Sequence, residues 1–100
     1  MNNLQLIAAL KLGAIDEVQY RPRGNSMRPL IHSGQLVTLK PCDGSLCEKG
    51  DIVFCKVNGN YLLHKVWAMD KNKGFLIGNA SGKINGWTKK IFGIVMKVEN

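Results

Sequence analysis

No stretch of this chain is both apolar and long enough to cross a bilayer as a helix. The nearest, Leu4 to Leu12, is interrupted by Gln5 and Lys11 and reaches about half of the roughly 20 residues that a helical span needs. Met1-Asn2-Asn3 also lacks the basic front of a secretory signal, so the expectation is a cytoplasmic chain without a membrane anchor. Cysteine is scarce, and Cys42, Cys47 and Cys55 form no CxxC pair. Such spacing argues against a disulfide framework and a zinc site, leaving reduced thiols, no metal and no cofactor as the expectation. Acid is scarce too, with 7 Asp and Glu against 14 Lys and Arg and a formal charge of +7. The excess raises the question of an anionic partner. The cations, however, run from Lys11 to Lys97 with small clusters only at Arg21/Arg23/Arg28 and Lys89/Lys90. No recognition-helix pattern accompanies them, and nucleic acid is disfavoured as a partner. Internal repeats, linkers and low-complexity segments are missing as well.

What is present fits one globular domain over residues 1–100. Apolar residues make up 45% of the chain and charged residues 21%, ordinary usage for a chain with a single hydrophobic core. Leu4, Ile7, Ala8 and Lys11-Leu12 have helical spacing and Gly13 is placed as a stop, which predicts a short helix over 3–12. Beyond it the pattern turns to strands: Val18 to Arg21, then Leu36 to Leu39 closed by Pro41, then two apolar runs around Asn58-Gly59. Asn58-Gly59 suits the positive φ angles of a type I′ turn and predicts a hairpin in which Val57 faces Asn60, Cys55 faces Leu62, Val53 faces His64 and Asp51 faces Val66. His64 then shares a face with Asp51, Val53 and Cys55, while Lys65 points the opposite way with Phe54 and Trp67. Gly74 to Ile77 and Ile91 to Met96 supply two further strands, separated by a turn-rich stretch from Gly78 to Gly86. The expected class is mainly β, a coiled or folded mixed sheet with a short N-terminal helix.

Two side chains stand out for chemistry. Gly24-Asn25-Ser26-Met27-Arg28-Pro29-Leu30 sets a serine in a Gly- and Pro-bounded turn directly after a strand, where its hydroxyl and backbone N–H are exposed. A serine hydroxyl is a weak nucleophile until a base takes its proton. His64 is the better of two candidate bases, because it lies in an apolar strand where an imidazole without a partner would be desolvated at a cost. His32, beside Ser33-Gly34, reads as solvent-facing. Each residue also has a plain structural reading, Ser26 as a turn residue and His64 as a satisfied strand residue.

Resemblance links the two. Gly24-Asn25-Ser26-Met27-Arg28-Pro29 resembles the G-x-S-M-x-P box that carries the nucleophile in the superfamily of signal peptidases and LexA-type autoproteases. Gly34-Gln35-Leu36-Val37 is similar to the G-D-x-V segment of that family, Gly50-Asp51-Ile52-Val53 to its G-D-I-V strand start, and Leu63-His64-Lys65-Val66 to the box holding the base. Bacterial signal peptidases and LexA-type proteins have lysine as the base. The endoplasmic-reticulum type has histidine followed by arginine and valine, which His64-Lys65-Val66 resembles. The resemblance covers residues 18–98 and implies a peptidase-like β domain acting on a peptide or protein, with Ser26 as nucleophile, His64 as base and the Ser26 N–H in the oxyanion hole.

Departures from the family pattern shape the remaining expectations. The family often supplies a hydroxyl to the oxyanion hole two residues before the nucleophile; here that residue is Gly24, and Asn25 is the candidate substitute. Histidine-type relatives orient the ring with an aspartate after a G-D-N segment. The corresponding stretch here, Gly78 to Asn85, carries amides, making Asn79 and Asn85 the orienting candidates. Asp51 is a third, diagonal to His64 at roughly 7–8 Å between backbones, with a strand-starting turn as its competing role. Neither a membrane anchor nor a DNA-binding domain is expected, and no Ala-Gly bond of the kind LexA-type relatives cut occurs in the chain, so self-cleavage is not expected. The chain looks most like the small stand-alone members of this fold encoded by mobile elements such as phages. A catalytically inactive binding module that grips a host protein or small ligand is the alternative.

Overall fold

The computed structural model describes residues 2–12 and 16–100. One helix, α1 (Asn3–Leu12), precedes seven strands: β1 (Val18–Tyr20), β2 (Leu36–Pro41), β3 (Ile52–Val57), β4 (Asn60–Asp70), β5 (Gly74–Gly78), β6 (Ile84–Thr88) and β7 (Ile91–Glu99). Gly13, the expected helix stop, lies outside the described residues. The helix start is a reciprocal cap: the Asn2 carboxamide oxygen accepts the Gln5 N–H at 2.9 Å and the Gln5 side chain accepts the Asn2 N–H at 3.0 Å, satisfying donors that the first turn leaves unpaired. Its buried face is Leu6, Ile7 and Leu10, whereas Leu4 is 72% exposed, which corrects the face built on Leu4, Ile7 and Ala8. Apolar side chains surround most of this helix, so spacing alone underdetermines the rotation. At Gly93 the missing side chain leaves room for Leu10, whose methyls would stand 3.1 and 3.2 Å from an added Cβ.

The strands form one sheet in the order β1-β2-β7-β3-β4-β5-β6. All of its pairings are antiparallel, so the expected mixed sheet is corrected to an antiparallel one. Short turns join β3, β4, β5 and β6 in succession, and antiparallel order follows from turns that short. The β3–β4 hairpin has the register read from the sequence, with Val57 opposite Asn60 and Val53 opposite His64, and Asn58 and Gly59 both hold positive φ at its tip. The Gly78–Gly86 stretch differs from expectation, since its end is a strand, β6. Asn85 and Gly86 hide that strand from any alternation of apolar residues, and Gly86 sits at φ +142°, a conformation that favours glycine.

Register shifts interrupt the β2–β7, β3–β7, β4–β5 and β5–β6 ladders. Bulges of this kind sharpen local twist, and the sheet curls until β6 and the start of β7 lie back over β3. The Thr88 hydroxyl donates to the Lys56 carbonyl at 2.6 Å, the Lys56 N–H donates to Lys90 O at 3.0 Å, and the Asn58 amide donates to Asn85 O at 3.2 Å. Inside the curl, Val53, Cys55, Val57, Val66, Ile77 and Ile91 form one core. The opposite face of β3 contributes Phe54 to a second core with α1, Val37, Leu39, Met27 and Ile31. Phe54 stacks on Tyr61 with ring centroids 6.1 Å apart and meets the Tyr20 edge at 6.5 Å, geometries that add to area burial. No described helix is long and apolar enough to cross a membrane.

Candidate active site

Ser26 is held out by its neighbours. After β1 the chain turns at Gly24 (φ +111°), and the Arg28 N–H donates to Asn25 O at 3.2 Å to make a tight turn around the serine. Met27 and Ile31 are buried in the helix-side core, and the Ile31 N–H donates to Met27 O at 2.9 Å. Gly34 closes the excursion by donating to Pro22 O at 2.9 Å. Met27 therefore anchors the loop while Ser26, one residue earlier, stays exposed. The Ala80 N–H donates to Ser26 O at 3.2 Å, tying the loop to the turn that leads into β6.

His64 meets this serine directly. Its Nε2 lies 3.1 Å from Ser26 Oγ, and its Nδ1 lies 2.7 Å from Asn85 Oδ1. The Asn85 carboxamide oxygen only accepts hydrogen bonds, so Nδ1 carries a proton, which leaves Nε2 as the nitrogen that can accept from the Ser26 hydroxyl. The imidazole is 8% exposed, fixed at both nitrogens, and on the strand face shared with Val53. Residues 38 and 21 positions from His64 in the chain thus converge on its two nitrogens. Such a Ser–His–amide arrangement has the spacing that acyl transfer uses, with a serine hydroxyl in reach of a ring nitrogen and an amide oxygen that holds the ring's other nitrogen.

The other orienting candidates lie elsewhere. The Asn79 side chain accepts from the Ser81 N–H, the Ser81 hydroxyl and the Lys83 N–H at 3.1, 3.1 and 2.9 Å, and its carbonyl accepts the Trp67 indole N–H at 3.0 Å. It builds the turn before β6 and so positions Asn85 from a distance. The Asp51 carboxylate accepts the Glu48 N–H at 2.8 Å, while its backbone carbonyl accepts the Val66 N–H, the strand-starting role. Asn25 is exposed and contributes its backbone carbonyl to the nucleophile turn. Lys65 lies on the strand face opposite His64, as the register requires, with its ammonium 4.4 Å from the Trp67 ring centroid. His32 is exposed.

Beside the dyad lies an open cavity of about 350 Å³. Its lining includes Ser26 and His64, the apolar or aromatic Tyr20, Phe54, Tyr61 and Leu63, and the exposed Arg21, Arg23 and His32 as its rim. The Arg21 guanidinium donates to Gly34 O at 2.8 Å. Burial pushes the Tyr20 phenol well above its ordinary range. Sequence reading noted the arginines only as a small cluster; their place directly before the Gly24 turn is the signal that puts them beside the serine. The Cys42 and Cys47 sulfurs are 3.6 Å apart, a proximity that their five-residue spacing did not suggest. Burial, and then the adjoining Cys42 thiol, push the Cys47 thiol up to about 12. Among the described residues no three His, Cys, Asp or Glu side chains gather into a metal-holding group.

No protein-family model matches this chain, and no curated protein matches it either.

Proposed function

We propose that this chain is a small serine endopeptidase of the signal-peptidase and LexA-like type. The observation that carries the reading is the continuous relay from Ser26 Oγ through His64 to Asn85 Oδ1, at 3.1 and 2.7 Å. The curled antiparallel sheet and the order of the four sequence boxes support it. In the reaction, Ser26 Oγ attacks a peptide carbonyl carbon and His64 Nε2 takes the hydroxyl proton. The Ser26 N–H donates to the developing oxyanion. As the C–N bond breaks, His64 returns the proton to the leaving amine, and water then hydrolyses the acyl-enzyme with the same histidine as base.

A second reading is favoured by one residue. Asn85 orients the imidazole but cannot offset the charge of an imidazolium as a carboxylate does, which suits a binding module with the same groove and little turnover. Covalent capture separates the two. A fluorophosphonate should form a Ser26 Oγ–P bond with loss of fluoride, read as an intact-mass adduct on the wild-type protein and none on Ser26→Ala. A folded wild-type protein that stays unmodified under forcing concentrations of the probe overturns the peptidase reading.

A further inference from the structure

The rim of the cavity beside Ser26 is charged on one side only. Arg21, Arg23 and His32 contribute to its lining, and no Asp or Glu does. The sole ion pair among the described residues joins Lys97 to Glu99 at 3.1 Å, so neither arginine has an internal carboxylate partner there. Arg21 spends one donor on Gly34 O at 2.8 Å, which fixes its guanidinium at the rim while further N–H groups remain for another acceptor. A Cβ at Gly34 would stand 3.7 Å from Arg23 Nη1, so both guanidinium-bearing side chains run past the same short segment. The lining also holds apolar and aromatic side chains, with the half-buried Tyr61 stacked on the buried Phe54.

A cleft of this composition rewards a ligand that is apolar on one side and anionic on the other. Guanidinium groups pair with carboxylates through two parallel N–H···O bonds, and the net charge of +7 favours the approach of acidic chains. We propose that the groove selects an acidic peptide, with an Asp or Glu side chain paired to Arg21 and Arg23 and an apolar neighbour laid against the half-buried Tyr61 and Leu63. Resting on the peptidase reading, this inference names the substrate class of that site. Arg21 and Arg23 are then specificity-determining residues that take no part in the proton transfer itself.

Binding by the Ser26→Ala form of this chain tests it without depending on turnover. Two fluorescein-labelled peptides identical except for Glu in one and Gln in the other are titrated and followed by anisotropy at low and moderate salt. The Glu peptide should bind roughly tenfold or more tightly, the range expected for charge-assisted hydrogen bonds, and the advantage should shrink with salt. Arg23→Gln and Arg21→Gln, each checked for fold by circular dichroism, should each reduce the preference. Arg23 is exposed, so its variant serves if loss of the Arg21–Gly34 bond disturbs the loop. Equal affinity for the two peptides, no binding of either at millimolar concentration, a preference unchanged in Arg23→Gln, or displacement by a single-stranded oligonucleotide at lower concentration than by the unlabelled Glu peptide would overturn the proposal. Fluorophosphonate capture of Ser26 without a Glu preference sinks this inference alone. A Glu preference without capture sinks the peptidase reading alone.

Discussion

Asn85 Oδ1 lies 2.7 Å from His64 Nδ1, so an amide stands where a histidine-based hydrolase more often has an acid. Asn85→Ala removes the group that fixes the tautomer, and the rate of Ser26 acylation should fall by roughly 10²–10⁴-fold, the scale of losing an orienting partner. Asn85→Asp restores a charge partner for the imidazolium and should raise that rate above wild type. Asn85 is exposed, so both variants should keep the wild-type melting temperature within a few degrees. Single-turnover acylation kinetics by mass spectrometry measure the effect. Equal rates in all three proteins would mean that the 2.7 Å contact has no part in activating Ser26.

Asp51 should separate from the dyad in the opposite way. Its carboxylate accepts the Glu48 N–H at 2.8 Å and starts β3. Asp51→Ala should cost about 1 kcal/mol of stability, in the range of a lost cap, while leaving acylation within about twofold of wild type. A urea unfolding curve and the same acylation assay read the two numbers. A large loss of acylation in a variant of near-normal stability would return Asp51 to the orienting role.

The legible parts of this protein are those governed by local rules. The β3–β4 register follows from Asn58-Gly59, because a two-residue turn fixes every pairing above it, and His64 was placed on the correct face for that reason. The helix limits follow from residue type, yet its buried face does not: apolar residues lie on nearly all sides, and Leu10 packs where Gly93 has no side chain, a contact made 83 positions away. Strand β6 was read as turn because Asn85 and Gly86 interrupt its pattern, although both Asn79 and Asn85 were candidates. Choosing between them required knowing that Asn79 is consumed by its own turn. The Cys42–Cys47 approach is made by a local turn, in which the Gly44 N–H donates to Cys42 Sγ and the Cys47 N–H to Gly44 O, and spacing without a CxxC pattern does not announce it.

Gly74 marks the tightest backbone approach in the curl. It sits at φ +92°, and an added Cβ would strike the Thr88 carbonyl and the Lys89 side chain. Gly74→Ala combines left-handed strain with a clash against backbone that cannot swing aside, so it should destabilise by about 2–4 kcal/mol. Gly59→Ala provides the control: its φ is +84° but nothing lies within 4 Å of the added carbon, and the cost should stay near 1 kcal/mol. Chemical denaturation of the two variants checks the difference. Similar costs at both positions would show that the β5–β6 edge yields to the added methyl.

The buried thiol in the curled core gives the fold an alkaline weakness. Cys55 is fully buried, and burial pushes its thiol up from 9.0 to about 12. The unfolded chain therefore loses this proton near pH 9 while the folded chain holds it, so between about pH 9 and 12 the unfolded state binds fewer protons. Stability must then fall as pH rises through that window, by up to about 1.4 kcal/mol per pH unit from this group. Below pH 9 both states keep the proton and the group contributes no slope. Cys55→Ala leaves a small cavity but no titrating group, so its stability should start lower and decline less steeply from pH 9 to 10.5 than wild type. Urea midpoints at half-unit intervals give both slopes, and parallel slopes would mean that the thiol ionises as readily in the folded protein as in the unfolded chain.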